Sequence, residues 1–174
     1  MDRKRAWNDV SCHLRFWIPA CLGLIADLAS KQWAFETLTR NARRVLIPGF
    51  LELKTDWNEG MAFGVARGLT VVFIPVSIFA LILIVYLFAG SRPSQRAWQI
   101  GLGALFAGAT GNLYDRIAFG SVRDFIYISF EAGYLRWPYI FNIADVLLVA
   151  GVGVLIFCGI FDKNKKTPLR GRNV

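Results

Sequence analysis

Asp124 and Asp145 are the residues of this chain whose type and setting most invite chemistry. Each carboxylate presses against an apolar segment, in Gly-Ser-Val-Arg-Asp124-Phe-Ile and Phe-Asn-Ile-Ala-Asp145-Val-Leu-Leu, with a short loop region between them. Two carboxylates brought together cannot both ionise easily, so they share a proton over a useful range of pH. One can then take a proton from water while the other protonates or polarises a peptide carbonyl. No metal, cofactor or nucleophilic side chain is needed. Taken alone, the pattern fits two paired structural aspartates equally well.

The elements that must position this pair are apolar and long. Of 174 residues, 55% are hydrophobic and 18% charged, and the mean hydropathy is +0.44. A helix needs about 20 apolar residues to cross a bilayer, and four segments qualify: Leu14–Leu38, Leu69–Ala89, Ala97–Ile117 and Tyr139–Phe161. The expected fold is therefore membrane all-α, a four transmembrane helix bundle in one domain spanning residues 1–174. Its outer regions are Thr39–Gly68 and Ala118–Pro138, carrying a small extracytoplasmic β-sheet and loops.

The net charge of +8 does not point to nucleic acid, because its distribution follows the crossings. Arg3, Lys4 and Arg5 precede the first, Arg92 and Arg96 fill the tight second connection, and Lys163, Lys165, Lys166, Arg170 and Arg172 follow the last. The positive-inside rule then puts both termini in the cytoplasm and the two longer connections outside. Arg40, Arg43, Arg44, Arg123 and Arg136 on those outer connections weaken the bias without reversing it.

Cys12, Cys21 and Cys158 lie at or within crossings and have neither metal-ligand spacing nor the look of a disulfide framework. The only histidine, His13, is near the cytoplasmic end of the first crossing. A Ser-His-Asp triad or a histidine-rich zinc site on the outer face is thus excluded, and an acid–base catalyst there must be a carboxylate, Lys, Tyr or water. The basic start followed by Phe16–Ala26 superficially resembles a cleaved leader, and Ile18-Pro-Ala-Cys21 resembles a weak lipobox. The apolar run continues past Cys21 and holds Asp27 and Lys31, so the reading is a retained helix.

Four further features bear on the site. Asp27 and Lys31 are four residues apart and share a helix face, the spacing of an ion pair turned to the bundle interior. Arg43–Trp57 carries the turn signal Pro48-Gly49 and alternates with period two, which predicts a hairpin or small sheet. The third crossing presents Gly101, Gly103, Ala104, Ala107, Gly108, Ala109 and Gly111, a surface for close helix approach. At its outer end come Asn112, Asp115 and Arg116, for which a local ion pair between neighbours is the simplest expectation. Ser121–Phe130 reads as a strand with Val122, Asp124 and Ile126 on one face and Arg123 on the other. A carboxylate on that apolar face should have a raised pKa. Trp137-Pro-Tyr139 reads as an interfacial belt, with Asp145 about two helical turns beyond re-entry.

With these residues in view, the sequence resembles the lipoprotein signal peptidases (signal peptidase II), bacterial intramembrane aspartic proteases. The resemblance rests on four blocks in family order: Asp27-Leu-Ala-Ser-Lys31, Asn58-Glu-Gly60-Met-Ala62-Phe63-Gly64, Gly111-Asn112-Leu-Tyr-Asp115-Arg116 continued by Val122-Arg-Asp124-Phe125, and Phe141-Asn142-Ile-Ala144-Asp145. It implies that Asp124 and Asp145 are catalytic and activate water to cut before a cysteine carrying diacylglycerol, with no cofactor. It also implies substrate-binding or supporting roles for Asn58, Gly60, Ala62, Gly108, Asn112, Arg116, Asn142 and Ala144. Asp27, Lys31 and Asp115 would be structural polar residues within the membrane. The implied partners are diacylglyceryl-modified prolipoproteins, membrane lipids and globomycin-type cyclic peptide inhibitors, and a monomer would suffice. The implied location is the bacterial inner membrane, with the site toward the periplasmic face.

The departures are Ala107-Gly108 where the family often has Gly-Gly, and Arg123 where it often has Val. Arg123 is expected to alter substrate preference or local charge. The substrate's signal helix is expected to lie along the Gly/Ala-rich surface of the third crossing. A proton or ion path through Asp27, Lys31 and Asp145 is disfavoured because the polar residues gather at one interface. A noncatalytic scaffold is disfavoured by the intact aspartates.

Overall fold

The structure, a computed structural model, describes residues 6–38, 43–59, 70–132 and 135–164, with side chains at 6–38, 43–59, 72–128 and 140–160. Four helices appear in it: α1 (Val10–Thr37), α2 (Thr70–Gly90), α3 (Arg96–Phe119) and α4 (Ile143–Asn164). A four-stranded antiparallel sheet, β1 (Arg44–Ile47), β2 (Leu51–Asn58), β3 (Val122–Ala132) and β4 (Leu135–Phe141), runs in sequence order. Three helices, α1, α2 and α4, are long and apolar enough to cross a membrane. The third segment, α3, is the exception among the four expected crossings, because its composition is spent on contact with other helices.

Helix α3 lies between α1 and α4, and its glycines set the distances. A Cβ on Gly103 would run into the carbonyl of Phe16 in α1, and one on Gly108 would come within 2.5 Å of the carbonyl of Ala144 in α4. Gly101 faces Val154 across the same seam, and Gly151 in α4 faces Leu105 in return. The small-residue surface is therefore filled by the protein's own helices. Among the described residues, these glycines face α1 and α4 and not a space left for a substrate helix, which departs from the sequence-based expectation. Helix α2 packs on α3 through Ile84 and Phe88, which join Cys12, Phe16, Leu102 and Leu105 in one core cluster. Its remaining surface, including Val76, Phe79, Ile82 and Tyr86, is exposed, as suits a face turned to lipid.

A second cluster, Ala34, Leu38, Leu53 and Phe125, keys β2 and β3 onto the end of α1. Gly49, at φ 73°, makes the turn between β1 and β2. Gly120, at φ 76°, closes α3 by donating its N–H to the carbonyl of Arg116, and the chain then enters β3 directly.

The expected helix start at Tyr139 is corrected: Tyr139 pairs with Ile128 in β4, and α4 begins at Ile143. Asp145 is consequently in the first turn of its helix rather than two turns inside it. The alternating run Leu135-Arg-Trp-Pro-Tyr-Ile-Phe141 sits at a sheet edge, where a proline is tolerated. The side chains of the Trp137–Tyr139 belt lie outside the described residues, as do Gly60, Ala62 and the rest of the segment to Gly64.

Candidate active site

Helix α4 starts with a reciprocal cap. Asn142 accepts the N–H of Asp145 on Oδ1 at 3.0 Å, and Asp145 accepts the N–H of Asn142 on Oδ2 at 3.2 Å. This is the logic of a capping box, with Asn and Asp in the two positions. The N–H of Ala144, a third donor that a helix start leaves unpaired, goes to Asp27 Oδ1 of α1 at 2.8 Å. Two turn-forming residues and one distant carboxylate thus fix where Asp145 sits.

The cap also decides which way the Asn142 amide points. Its oxygen is committed to the backbone of Asp145, so its NH2 group faces outward and donates to Asp124 Oδ1 at 2.6 Å and Asn112 Oδ1 at 3.1 Å. Asn112 is oriented by a parallel argument. Lys31 Nζ has only protons to offer, and it donates to Asn112 Oδ1 at 3.0 Å, which turns the NH2 of Asn112 to Asp145 Oδ1 at 2.9 Å. Asn112 and Asn142 therefore join the two carboxylates through one continuous set of hydrogen bonds.

Behind this pair lies a buried ion cluster. Lys31 donates hydrogen bonds to Asp27 Oδ2 at 2.7 Å and to Asn112 Oδ1, and forms an ion pair with Asp115 Oδ2 at 3.2 Å. Asp27, Lys31 and Asp115 are all fully buried. A Cβ on Gly111 would collide with the Asp27 carboxylate, so a larger residue there would have to displace it from Lys31 and the Ala144 N–H.

The expected pairing of Asp115 with Arg116 does not form. Neighbours on a helix point about 100° apart, and Asp115 turns to Arg123 instead. Arg123 donates from Nε at 3.1 Å and Nη2 at 2.8 Å to Oδ1, while its backbone N–H reaches Oδ2 at 3.0 Å. Its Nη1 bonds Gln32 at 3.1 Å, and its guanidinium lies 4.6 Å from the Phe119 ring centre. Arg123 is 4% exposed, so it is no substrate-facing residue. Arg116 donates to the backbone carbonyl of Asn112 at 3.3 Å and stands 5.3 Å over the Phe73 ring.

Asn58 holds the other oxygen of Asp124, donating from Nδ2 to Oδ2 at 2.9 Å. Of the substrate-binding or supporting roles expected for Asn58, this contact is a supporting one, and its partner is not readable from sequence because it depends on strand register. Leu53 pairs with Ile126 and Asp56 with Asp124, so β2 spends one residue more than β3 between those rungs. A one-residue bulge swaps the faces of everything after it. The swap sets Asn58 opposite Val122, hence diagonal to Asp124 on the same face. Gly108 and Ala144 contribute packing, with Ala144 fully buried against α3.

The two carboxylates thus receive four N–H donors, one on each oxygen. Asp124 is 2% exposed. Its pKa is pushed up to about 7, first by burial and second by the charge of Asp145; the amides of Asn58 and Asn142 and the charge of Lys31 work against the rise. The raised value matches the expectation for a carboxylate on the apolar face of this strand.

The family model described as signal peptidase (SPase) II matches residues 19–161. The chain belongs to this family. The lipoprotein signal peptidase of Clostridium novyi (strain NT) is 38% identical over 133 residues, which are 76% of this chain and 88% of that protein. That of Latilactobacillus sakei subsp. sakei (strain 23K) is 34% identical over 154 residues, 88% of this chain and 98% of its own. A solved structure described as a bacterial membrane enzyme at 2.3 Å resolution superposes with a TM-score of 0.79 at 29% identity, covering 99% of both chains. As a lipoprotein signal peptidase, the chain is a membrane protease that processes prolipoproteins.

Proposed function

We propose that Asp124 and Asp145 form an aspartic dyad that hydrolyses the peptide bond preceding a diacylglyceryl-modified cysteine. The observation that carries this reading is the joining of the two carboxylates through Asn112 and Asn142, with Asp124 raised to about 7. The raised pKa of Asp124 suits it to carry the dyad's proton as neutrality is approached. Asp145 takes a proton from water as the oxygen attacks the scissile carbonyl, and Asp124 gives its proton to the carbonyl oxygen. Collapse of the gem-diol returns a proton to Asp124, while Asp145 protonates the leaving amine. The products are a carboxylic acid and a free amino group on the lipidated cysteine, with the dyad as it began.

The chain works as a single integral membrane domain. Helix α3 makes the fourth crossing, sheltered by α1 and α4, and the basic ends hold both termini in the cytoplasm. The dyad then faces the periplasmic side, where acyl chains anchored in the outer leaflet deliver the substrate without a three-dimensional search. Globomycin-type cyclic peptides act by occupying the same layer, and a monomer suffices. Asn58, Asn112 and Asn142 orient the dyad.

The test is cleavage of a diacylglyceryl-modified precursor by Asp124→Asn and Asp145→Asn variants in detergent. Both should lose at least about 10³-fold in turnover while remaining folded and membrane-inserted. Substantial activity in either one would sink the dyad.

A further inference from the structure

We propose that Arg123 is a positioning residue that balances charge behind the dyad, setting the pH range over which the two carboxylates share a proton. This rests on the dyad reading above. The supporting geometry is a closed group of four buried charges. Asp27 and Asp115 are negative, Lys31 and Arg123 positive, and each is at most 4% exposed. Lys31 touches both carboxylates, and Arg123 engages Asp115 with two side-chain N–H groups and its own backbone N–H.

With Arg123 present the group sums to zero; without it, Lys31 alone would face two anions. Such an excess would be felt at the dyad by two short routes. Arg123 is bonded in sequence to Asp124 on β3, and Lys31 connects through Asn112 to Asp145. A buried charge is weakly screened, so a change of one unit this close should alter how tightly the dyad holds its proton.

Arg123 is also held on its remaining sides. Gln32 of α1 takes Nη1, the Phe119 ring of α3 covers the guanidinium, and Trp57 of β2 pairs with it across the sheet. Other charged groups also stand around the dyad. They are Arg116 and Asp115 from α3, Asp27 and Lys31 from α1, Asp145 from α4, and Asp56 and Glu59 at the exposed end of β2.

The experiment is the pH dependence of kcat/KM on a diacylglyceryl-modified precursor, using full-length Arg123→Met, Arg123→Lys and the double variant Asp115→Asn/Arg123→Met, with thermal unfolding recorded for each. Loss of the cation favours the protonated dyad, so Arg123→Met should move the alkaline limb up by about one pH unit. The double variant removes one charge of each sign and should return the limb to its wild-type position, which a purely structural role would not do. Arg123→Lys keeps the charge and loses the fork, so its limb should stay while its Tm falls.

A limb that stays put in folded Arg123→Met overturns the proposal, as does a double variant shifted as far as the single. If Arg123→Met does not fold, a shifted limb in folded Arg123→Lys overturns it. Loss of the dyad itself would show differently, as activity surviving in Asp124→Asn.

Discussion

Asn142 and Asp145 each accept the other's backbone N–H, so the start of α4 and the orientation of its carboxylate are one structure. The side-chain amide left over from this cap is what reaches Asp124 and Asn112.

That double duty can be separated by substitution. Asn142→Ser keeps an oxygen for the Asp145 N–H, whereas Asn142→Ala keeps nothing. Both remove the NH2 group from Asp124. We expect both to lose about 10²-fold in turnover through misplacement of the dyad. Asn142→Ala should be less stable than Asn142→Ser by about 1 kcal/mol, the worth of a cap. Parallel turnover and denaturation measurements check this, and equal stabilities would dissociate the cap from α4.

The raised pKa of Asp124 fixes two pH dependences. Above about 7 the dyad loses its shared proton, so kcat/KM should fall toward tenfold per pH unit on the alkaline side. For stability the sign follows from a folded value above the unfolded one of 3.8. The folded state binds the proton more tightly, so its advantage is full below 3.8 and disappears as pH rises to about 7. Asp124→Asn should flatten that dependence and unfold at higher temperature than wild type at pH 8. A wild-type Tm as high at pH 8 as at pH 5 would count against it.

Lys31 is the hub of the buried cluster, and its removal should cost stability before chemistry. Lys31→Met leaves Asp27 and Asp115 without their shared cation, a loss of about 3–5 kcal/mol. Abundance in the membrane should drop several-fold, while turnover per folded molecule changes less, through the freed amide of Asn112. A normally abundant variant with no turnover would make Lys31 part of the reacting layer.

The sequence made some of this legible and hid the rest for identifiable reasons. Asp27 and Lys31 could be paired because four residues is a helical neighbour distance. The strand bearing Asp124 is readable from its alternation, and the glycine seam of α3 from its run of small residues. The start of α4 was misplaced because aromatic and apolar residues before Asn142 suit a helix end or an edge strand equally, yet the Asn-x-x-Asp pattern of the cap was in view. The bonding partners of Arg123 and Asn58 are not readable in the same way. Asp115 finds Arg123 only after the turn at Gly120, and Asn58 finds Asp124 only because of a bulge in β2.

The β3–β4 hairpin stands between the two aspartates in the chain, with one carboxylate on its first strand and the other just beyond its second. A polypeptide still threading into the bilayer, with that hairpin unformed, would hold its acidic groups apart and be harmless to neighbouring membrane proteins. Under the proposed chemistry, proteolytic competence would then come with the pairing of β3 and β4, as a by-product of finishing assembly.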